Sequence, residues 1–327
     1  MPGTVSVLIP TFNRSGLIGE AMRGVAKQTW RPIKLVIVND ASTDDTAAAI
    51  EEAKQELEAP DFHVVVVNLP ENRGCGTARA VGLETVTGAY VAFLDDDDDW
   101  FETKLERQIA LLEQTGAGAC TCYMKQIRPE GEGRYPSADK ELPEGRCAAA
   151  WVRGDVLAHI NTVVFRRELL PEVGLFPRDM RMHDDSVWLA KLAHVAEFCA
   201  LKEVLGVYRF NPAGVSRVYT VDDLAKQDDD MHCYCMLVKE DNERRPNWDE
   251  QAWRDWVKSL YPELVKHQLW AGRLGRARKL WKFAMQATGA DPRVARLRGK
   301  LWKGRLLALF GKRLKHPKYP DGRLPGA

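Results

Sequence analysis

Ala89-Tyr90-Val91-Ala92-Phe93-Leu94-Asp95-Asp96-Asp97-Asp98-Asp99-Trp100-Phe101 decides how this chain is read: an apolar run, five consecutive carboxylates and an aromatic pair. Five like charges in a row repel one another, and a fold sets them beside a buried strand chiefly where a cation neutralises them. An acidic run on its own is commonly a solvated turn. This one begins where a β-rich apolar segment stops, so its first carboxylates fall at the carboxyl end of a strand, where open α/β sheets keep their ligands. The run therefore reads as a metal site.

Three further runs rich in Val and Ile precede it, Thr4 to Pro10, Lys34 to Asn39 and His63 to Asn68, and all four read as buried strands. Helix-period stripes lie between them: Leu17, Ile18, Ala21, Met22 and Val25, then Ile50, Ala53 and Leu57. Ser42-Thr43-Asp44-Asp45 reads as the capping signal that starts the second of these helices. The alternation predicts right-handed crossovers and an α/β fold, with a mostly parallel central sheet flanked by helices. Each strand then ends in polar residues facing one crevice: Thr11 and Asn13, Asp40, Asn68, and the aspartates. That is the layout of a nucleotide site. Ordinary turn and capping chemistry is the competing reading for Thr11, Asn13 and Asn68, and only their joint position favours a ligand.

Glu71-Asn72-Arg73-Gly74-Cys75-Gly76-Thr77-Ala78-Arg79 fails two tests. A dinucleotide fingerprint needs Gly where Arg79 stands, and a phosphate loop needs Gly-Lys-Ser/Thr, so hydride transfer and P-loop hydrolysis are both disfavoured. Gly74 and Gly76 instead loosen the entry to a helix and leave Arg73 and Arg79 to reach a base or diphosphate; the alternative for Arg79 is a surface helix charge. Asp95, Asp96 and Asp99 also fit the Asp-Asp-x-x-Asp spacing of prenyl-transferring enzymes. That motif requires a helix in an all-α bundle, whereas this run follows a strand.

Across 327 residues the net charge is +1, but residues 264 to 327 hold 17 Lys or Arg against Asp291 and Asp321, a net of +15, which leaves about −14 on residues 1 to 263. No run of 18 apolar residues exists and the amino terminus has no signal-peptide pattern, which predicts a cytosolic protein. Seven scattered cysteines suit reduced thiols better than a disulfide framework. Cys120-Thr-Cys122 and Cys233-Tyr-Cys235 lack the spacing of zinc ligands.

Val5-Ser6-Val7-Leu8-Ile9-Pro10-Thr11-Phe12-Asn13-Arg14, Gln28-Thr29-Trp30, Val36-Ile37-Val38-Asn39-Asp40-Ala41-Ser42-Thr43-Asp44 and Gly88 to Asp98 together resemble the family 2 glycosyltransferases in order and spacing. The resemblance implies a GT-A fold and inverting sugar transfer from a nucleotide-sugar, usually a UDP-sugar, with Mn2+ or Mg2+. By position it makes Thr11 and Asp40 nucleoside contacts, Asp40 at the uracil ring, and Arg79 a further contact to the nucleotide. The family's Asp-x-Asp falls on Asp95-Asp96-Asp97, with Asp97 as the metal ligand and Asp95 as a ribose or water-mediated contact. Met182-His183-Asp184-Asp185-Ser186 is similar to the family's acidic pair at a helix start, and Asp185 matches the general base; helix N-terminal charge is the competing reading. Arg209, in Tyr208 to Ser216, matches a diphosphate contact, and Asn211 stands where the family often has a metal-touching His.

The resemblance, specific over about the first 115 residues and fainter to about 217, implies a nucleotide-sugar-binding half (1–115) and an acceptor-binding half of the same domain (116–220); composition and helical spacing make the remainder (221–327) a basic helical appendage. Arg128 to Arg146, rich in Gly, Pro and charge, reads as a mobile loop near the acceptor. In the appendage Trp270, Leu274, Ala277, Trp281 and Ala284 recur at helical spacing among Arg and Lys, and Val294, Leu297, Leu301, Leu306 and Leu309 continue the pattern. Such cationic helices suit an anionic membrane surface with Trp at the interface, or packing on the catalytic body or a sister subunit in a homo-oligomer. No recognition module accompanies the charge, so nucleic acid is disfavoured as a partner. The predicted activity is glycosyl transfer to a glycan or lipid-linked acceptor, peripheral to the inner face of the cell membrane; a nucleotidyltransferase or a non-catalytic binding module on this fold are the alternatives.

Overall fold

The computed structural model describes residues 3–128, 131–136, 140–178, 180, 182–209, 211, 219–319 and 321–324. They form two compact units, Met1–Trp151 with Asp155–Pro212, and Val152–Gly154 with Ala213–Ala327.

The first unit runs β1 (Val5–Thr11), α1 (Ile18–Ala26), β2 (Ile33–Asn39), α2 (Thr46–Leu57), β3 (Phe62–Asn68), α3 (Cys75–Thr85), β4 (Tyr90–Phe93), β5 (Asp99–Trp100), α4 (Lys104–Thr115), β6 (Ala119–Arg128), β7 (Gly131–Tyr135), α5 (Ala148–Arg153), β8 (Val164–Arg166), α6 (Leu170–Val173), α7 (Asp184–Val195) and β9 (Phe198–Arg209). The sheet order is β3-β2-β1-β4-β8-β6-β9-β5, with β7 paired to β6. The four strands read from sequence are mutually parallel, in the register Val5 to Ile33 and Tyr90, and Ile33 to Phe62. Beyond β4 the sheet is mixed: β8 runs antiparallel to β4 and β6, while β6 and β9 are parallel.

The parallel strands are apolar on both faces because both are covered. Val5, Val7 and Ile9 of β1 join Ile18 and Met22 of α1, Ile50 of α2 and Ile109 of α4 in one core, while Val36 and Val38 of β2 face Ala78 of α3. Helix α3 lies so close to β1 that a Cβ at Gly82 would stand 2.2 Å from Leu8 Cδ1, hence glycine there.

Two local expectations change. The first turn of α2 is not closed by a Ser/Thr capping box; Asp44 Oδ1 accepts from the Thr46 N–H at 3.0 Å, because the N-cap is Asp45 and the chain enters the helix three residues later than the Ser-to-Asp spacing implies. Residues 128 to 146 are not all irregular: β7 pairs antiparallel with β6, Met124 opposite Tyr135 and Arg128 opposite Gly131, so backbone pairing supplies the order that side-chain periodicity does not signal.

The second unit comprises α8 (Val221–Asn242), α9 (Glu250–Trp270), α10 (Leu274–Ala287), α11 (Pro292–Ala295) and α12 (Leu297–Leu309). Thr220 and Asp223 form a reciprocal capping box at the start of α8. The Tyr261 ring lies tilted against Phe283 at 5.0 Å and its hydroxyl meets Nδ1 of half-buried His232 at 2.6 Å, a polar pair set among aromatic rings. The stripe read from Trp270 to Ala284 is divided between two helices, and neither of its tryptophans is presented to solvent as an interfacial anchor: Trp270 packs on His316, and half-buried Trp281 donates to the Val294 carbonyl. Helical spacing persists across a short turn, so periodicity alone misses the break at Ala271 to Arg273.

Candidate active site

The crevice lies at the carboxyl ends of β1, β2, β3 and β4, where parallel strands leave backbone and side-chain groups free to meet a ligand. Thr11 is buried at the end of β1. Asn13 adopts φ 53°, takes the Thr43 N–H on its side-chain oxygen at 2.8 Å and donates its own N–H to Ser42 Oγ. Turn chemistry accounts for those contacts. Asn39 bridges the strand ends by donating to Asn68 at 3.0 Å. Asp40 accepts the Arg73 N–H at 2.9 Å and the Gly74 N–H at 2.8 Å, one on each carboxylate oxygen, and so holds the loop that opens α3.

Arg79 is not a surface charge. It is buried, donating from Nη2 to Asp95 and from Nη1 to Asp184, each at 2.7 Å, with its guanidinium 5.8 Å from the Phe176 ring. The triad forms because α3 and the start of α7 touch: a Cβ at Gly76 would stand 2.7 Å from the Pro177 carbonyl and 3.0 Å from Asp184 Cβ. One arginine thus ties the aspartate run to the acidic pair of α7. Burial opposes ionisation of Asp95, but Arg79 overrides it and holds the carboxyl below its usual range. At Asp184 burial wins, with Asp185 adding repulsion, and the carboxyl is raised.

The five aspartates divide. Asp98 is buried, accepting from Asn161 Nδ2 at 2.6 Å and from the Arg209 N–H at 2.9 Å. Burial and the charges of Asp95 and Asp97 raise it to about 9. Burial, reinforced by Asp97, raises Asp96 to about 7, against the pull of Arg14, whose Nε lies 3.6 Å away. Asp97 accepts from Asn211 Nδ2 at 2.8 Å. Asp99 lies 3.8 Å from the Arg209 guanidinium. Ligand atoms of Asp95, Asp98 and His159 lie within 4.8 Å of one another. Two carboxylates with an imidazole beside them are a donor set that fits a hard or borderline divalent ion.

Asp185 follows Asp184 in the first turn of α7, half-buried, its Oδ1 accepting from the Ser186 N–H at 2.7 Å. Across from it burial pushes the Tyr135 phenol up, with the Asp185 charge contributing. The Tyr135 ring meets His159 at 5.5 Å and Tyr208 at 6.0 Å. These three rings and Asn161, which also accepts the Asp95 N–H at 3.1 Å, were not singled out from sequence. The one signal for Asn161 is a polar residue inside the apolar stretch Val156 to Phe165. Of the segment Tyr208 to Ser216, Phe210 and residues 212–216 lie outside the described residues.

The quartet of parallel strands, the mixed second half and the aspartates at the β4 exit define a GT-A-type transferase. The pattern of "Glycosyl transferase family 2" matches residues 6–174, and the chain belongs to that family. It is 30% identical over 206 residues, 63% of this chain and 78% of the other, to the putative teichuronic acid biosynthesis glycosyltransferase TuaG of Bacillus subtilis (strain 168). Three longer bacterial relatives are spanned only to 26%, 30% and 30% of their length. Among solved structures, S. aureus TarS 1-349 in complex with UDP-GlcNAc superposes with TM-score 0.66 at 19% identity, over 93% of this chain and 87% of that one. The mannosyltransferase PcManGT of Pyrobaculum calidifontis, in complex with GDP-Man and Mn2+, gives 0.61 at 22% identity, over 94% and 81%. At such identity these two likenesses establish the fold.

Proposed function

We propose that this glycosyltransferase moves a sugar from a nucleotide diphosphate sugar, UDP-linked, to a hydroxyl of a glycan or lipid-linked glycan, with inversion and with Mn2+ or Mg2+. The observation that carries the proposal is the Asp95–Arg79–Asp184 bridge, which ties the aspartate run to the acidic pair that includes the candidate base, Asp185. The TarS complex holds UDP-GlcNAc, and the PcManGT complex holds GDP-Man and Mn2+; both support the donor class by analogy.

Asp97, the last position of Asp-x-Asp, is the direct ligand in this reading, with the Asn211 amide on its Oδ2; both oxygens of Asp98 are engaged and Arg79 takes one from Asp95. Asp95, Asp98 and His159 form the neighbouring donor group, and Asp96 is pulled toward Arg14. A divalent ion held there supplies positive charge to the departing diphosphate. Thr11, Asn13 and Asp40 line the nucleoside end, and Arg209 meets the diphosphate. Arg79, locked in its two ion pairs, acts here by positioning Asp95 and Asp184 rather than by gripping the nucleotide.

Asp185 takes the proton of the acceptor hydroxyl as that oxygen bonds to the anomeric carbon; the bond to the diphosphate oxygen breaks on the opposite face and UDP leaves with the electron pair. The rings of Tyr135 and Tyr208, 6.0 Å apart, suit the apolar face of a sugar at this position. Lipid-linked acceptors would set the enzyme at the inner face of the cell membrane, with residues 264–327 meeting it. The test is release of UDP from a panel of UDP-sugars with acceptor glycans and Mn2+: turnover of one donor, lost in Asp97→Asn, supports the reading, whereas release of pyrophosphate identifies a nucleotidyltransferase.

A further inference from the structure

Helix α12 is apolar on two opposite sides. One side is spent inside the second unit: Leu297 and Leu301 are buried, and a Cβ at Gly304 would stand 3.2 Å from Leu269 Cδ2, so the helix sits directly on α9. On the other side Trp302 is 64% exposed, Leu306 38%, Leu309 80% and, just past the helix, Phe310 76%. At 100° per residue these side chains share one face, with Arg298 and Arg305 along one flank and Lys303 along the other. A soluble surface helix has no folding reason to carry such a stripe, which forfeits burial of four large apolar groups.

Along the Lys303 flank runs a cavity of about 620 Å³, with Trp270 and Leu307 in its wall and Lys303, Lys312, Arg313 and Lys315 around it. We propose that α12 and the segment after it form the surface by which this chain binds an anionic lipid bilayer. Trp302, Leu306, Leu309 and Phe310 enter the acyl boundary, and the cationic groove beside them takes lipid phosphate. Charge selects this occupant: the net +15 of residues 264 to 327 complements an anionic leaflet. A second copy docked through the same stripe would set Arg298, Lys303 and Arg305 against their own kind. The inference rests on the membrane-facing part of the proposed function and is independent of the transfer reaction.

The test is cosedimentation of the full chain with phosphatidylcholine vesicles, with and without phosphatidylglycerol. Binding is expected only with phosphatidylglycerol and falls when salt is raised to about 0.5 M. Trp302→Ser/Leu309→Ser/Phe310→Ser and, separately, Lys312→Gln/Arg313→Gln/Lys315→Gln should each weaken it roughly tenfold or more. Both variants are checked for an unchanged melting curve and for wild-type hydrolysis of soluble nucleotide-sugar, so failure of catalysis and failure of docking are read apart. Equal binding to pure phosphatidylcholine, wild-type binding by the apolar variant, displacement by millimolar inorganic phosphate, or a dimer that the apolar variant converts to monomer would each overturn the proposal.

Discussion

Arg79 and Asp184 are 105 residues apart in sequence and 2.7 Å apart in the fold, a contact buried on both sides. With Asp95 at the same distance, the guanidinium is the only strong cationic partner described for either carboxylate. Removing it leaves buried Asp184 and half-buried Asp95 without that partner. Arg79→Met should therefore cost about 3–5 kcal/mol of stability, measured by urea unfolding. Arg79→Lys should recover only part of this, because a single ammonium cannot reproduce a fork that spans two acids.

Asn161 holds the aspartate run from the other side, donating to Asp98 and accepting from the Asp95 backbone. Asn161→Ala leaves both groups without that partner in a buried place. Stability should drop by about 1–3 kcal/mol. Mn2+ affinity, read by calorimetry, should fall with it, since the carboxylates lose their fixed orientation.

Lys104 is fully buried, its amine without a hydrogen-bond partner among the described residues and 4.0 Å from the centre of the Trp100 ring. Burial lowers it to about 8. Between that pH and the ordinary lysine range the unfolded chain binds the proton and the folded one does not, so this group's contribution to stability rises with pH across the window. Below about pH 8 the fold carries a charged, poorly solvated amine, a penalty of about 3 kcal/mol at its largest, offset in part by the indole face. Lys104→Met should accordingly be more stable than the parent near pH 7, and the gap should close as pH approaches 10, as followed by denaturant unfolding at each pH.

Asn211 meets Asp97 through a neutral amide. An imidazole there would offer a better ligand to Mn2+. Asn211→His should tighten Mn2+ binding by roughly tenfold, seen as a lower Mn2+ concentration for half-maximal UDP release.

Much of the first unit was legible because its information is local. Val5–Thr11, Ile33–Asn39, Phe62–Asn68 and Tyr90–Phe93 are near-continuous apolar runs between turn residues, and all four lie within a residue or so of the segments read from sequence. The aspartates fall at the strand end, as a run that starts where apolarity stops must. Asn161 and His159 were not legible, since each reaches the aspartate run only across more than sixty positions, as between Asn161 and Asp98. Arg79 was read as a ligand contact or a surface charge; its spacing on α3 carries no trace of the two acids that surround it. The exposed tryptophan of the appendage is Trp302 rather than Trp270 or Trp281, because which stripe of a doubly apolar helix is buried depends on its neighbours.

The central claim is that Asp185 removes the acceptor proton across a crevice whose aspartates hold a divalent ion. The most direct measurement is the initial rate of UDP release with donor, acceptor and Mn2+ for Asp185→Asn beside wild type, with UDP affinity recorded on the same samples. The account predicts a fall of about 10²–10⁴-fold in rate with UDP binding retained. A variant that transfers at the wild-type rate would contradict it.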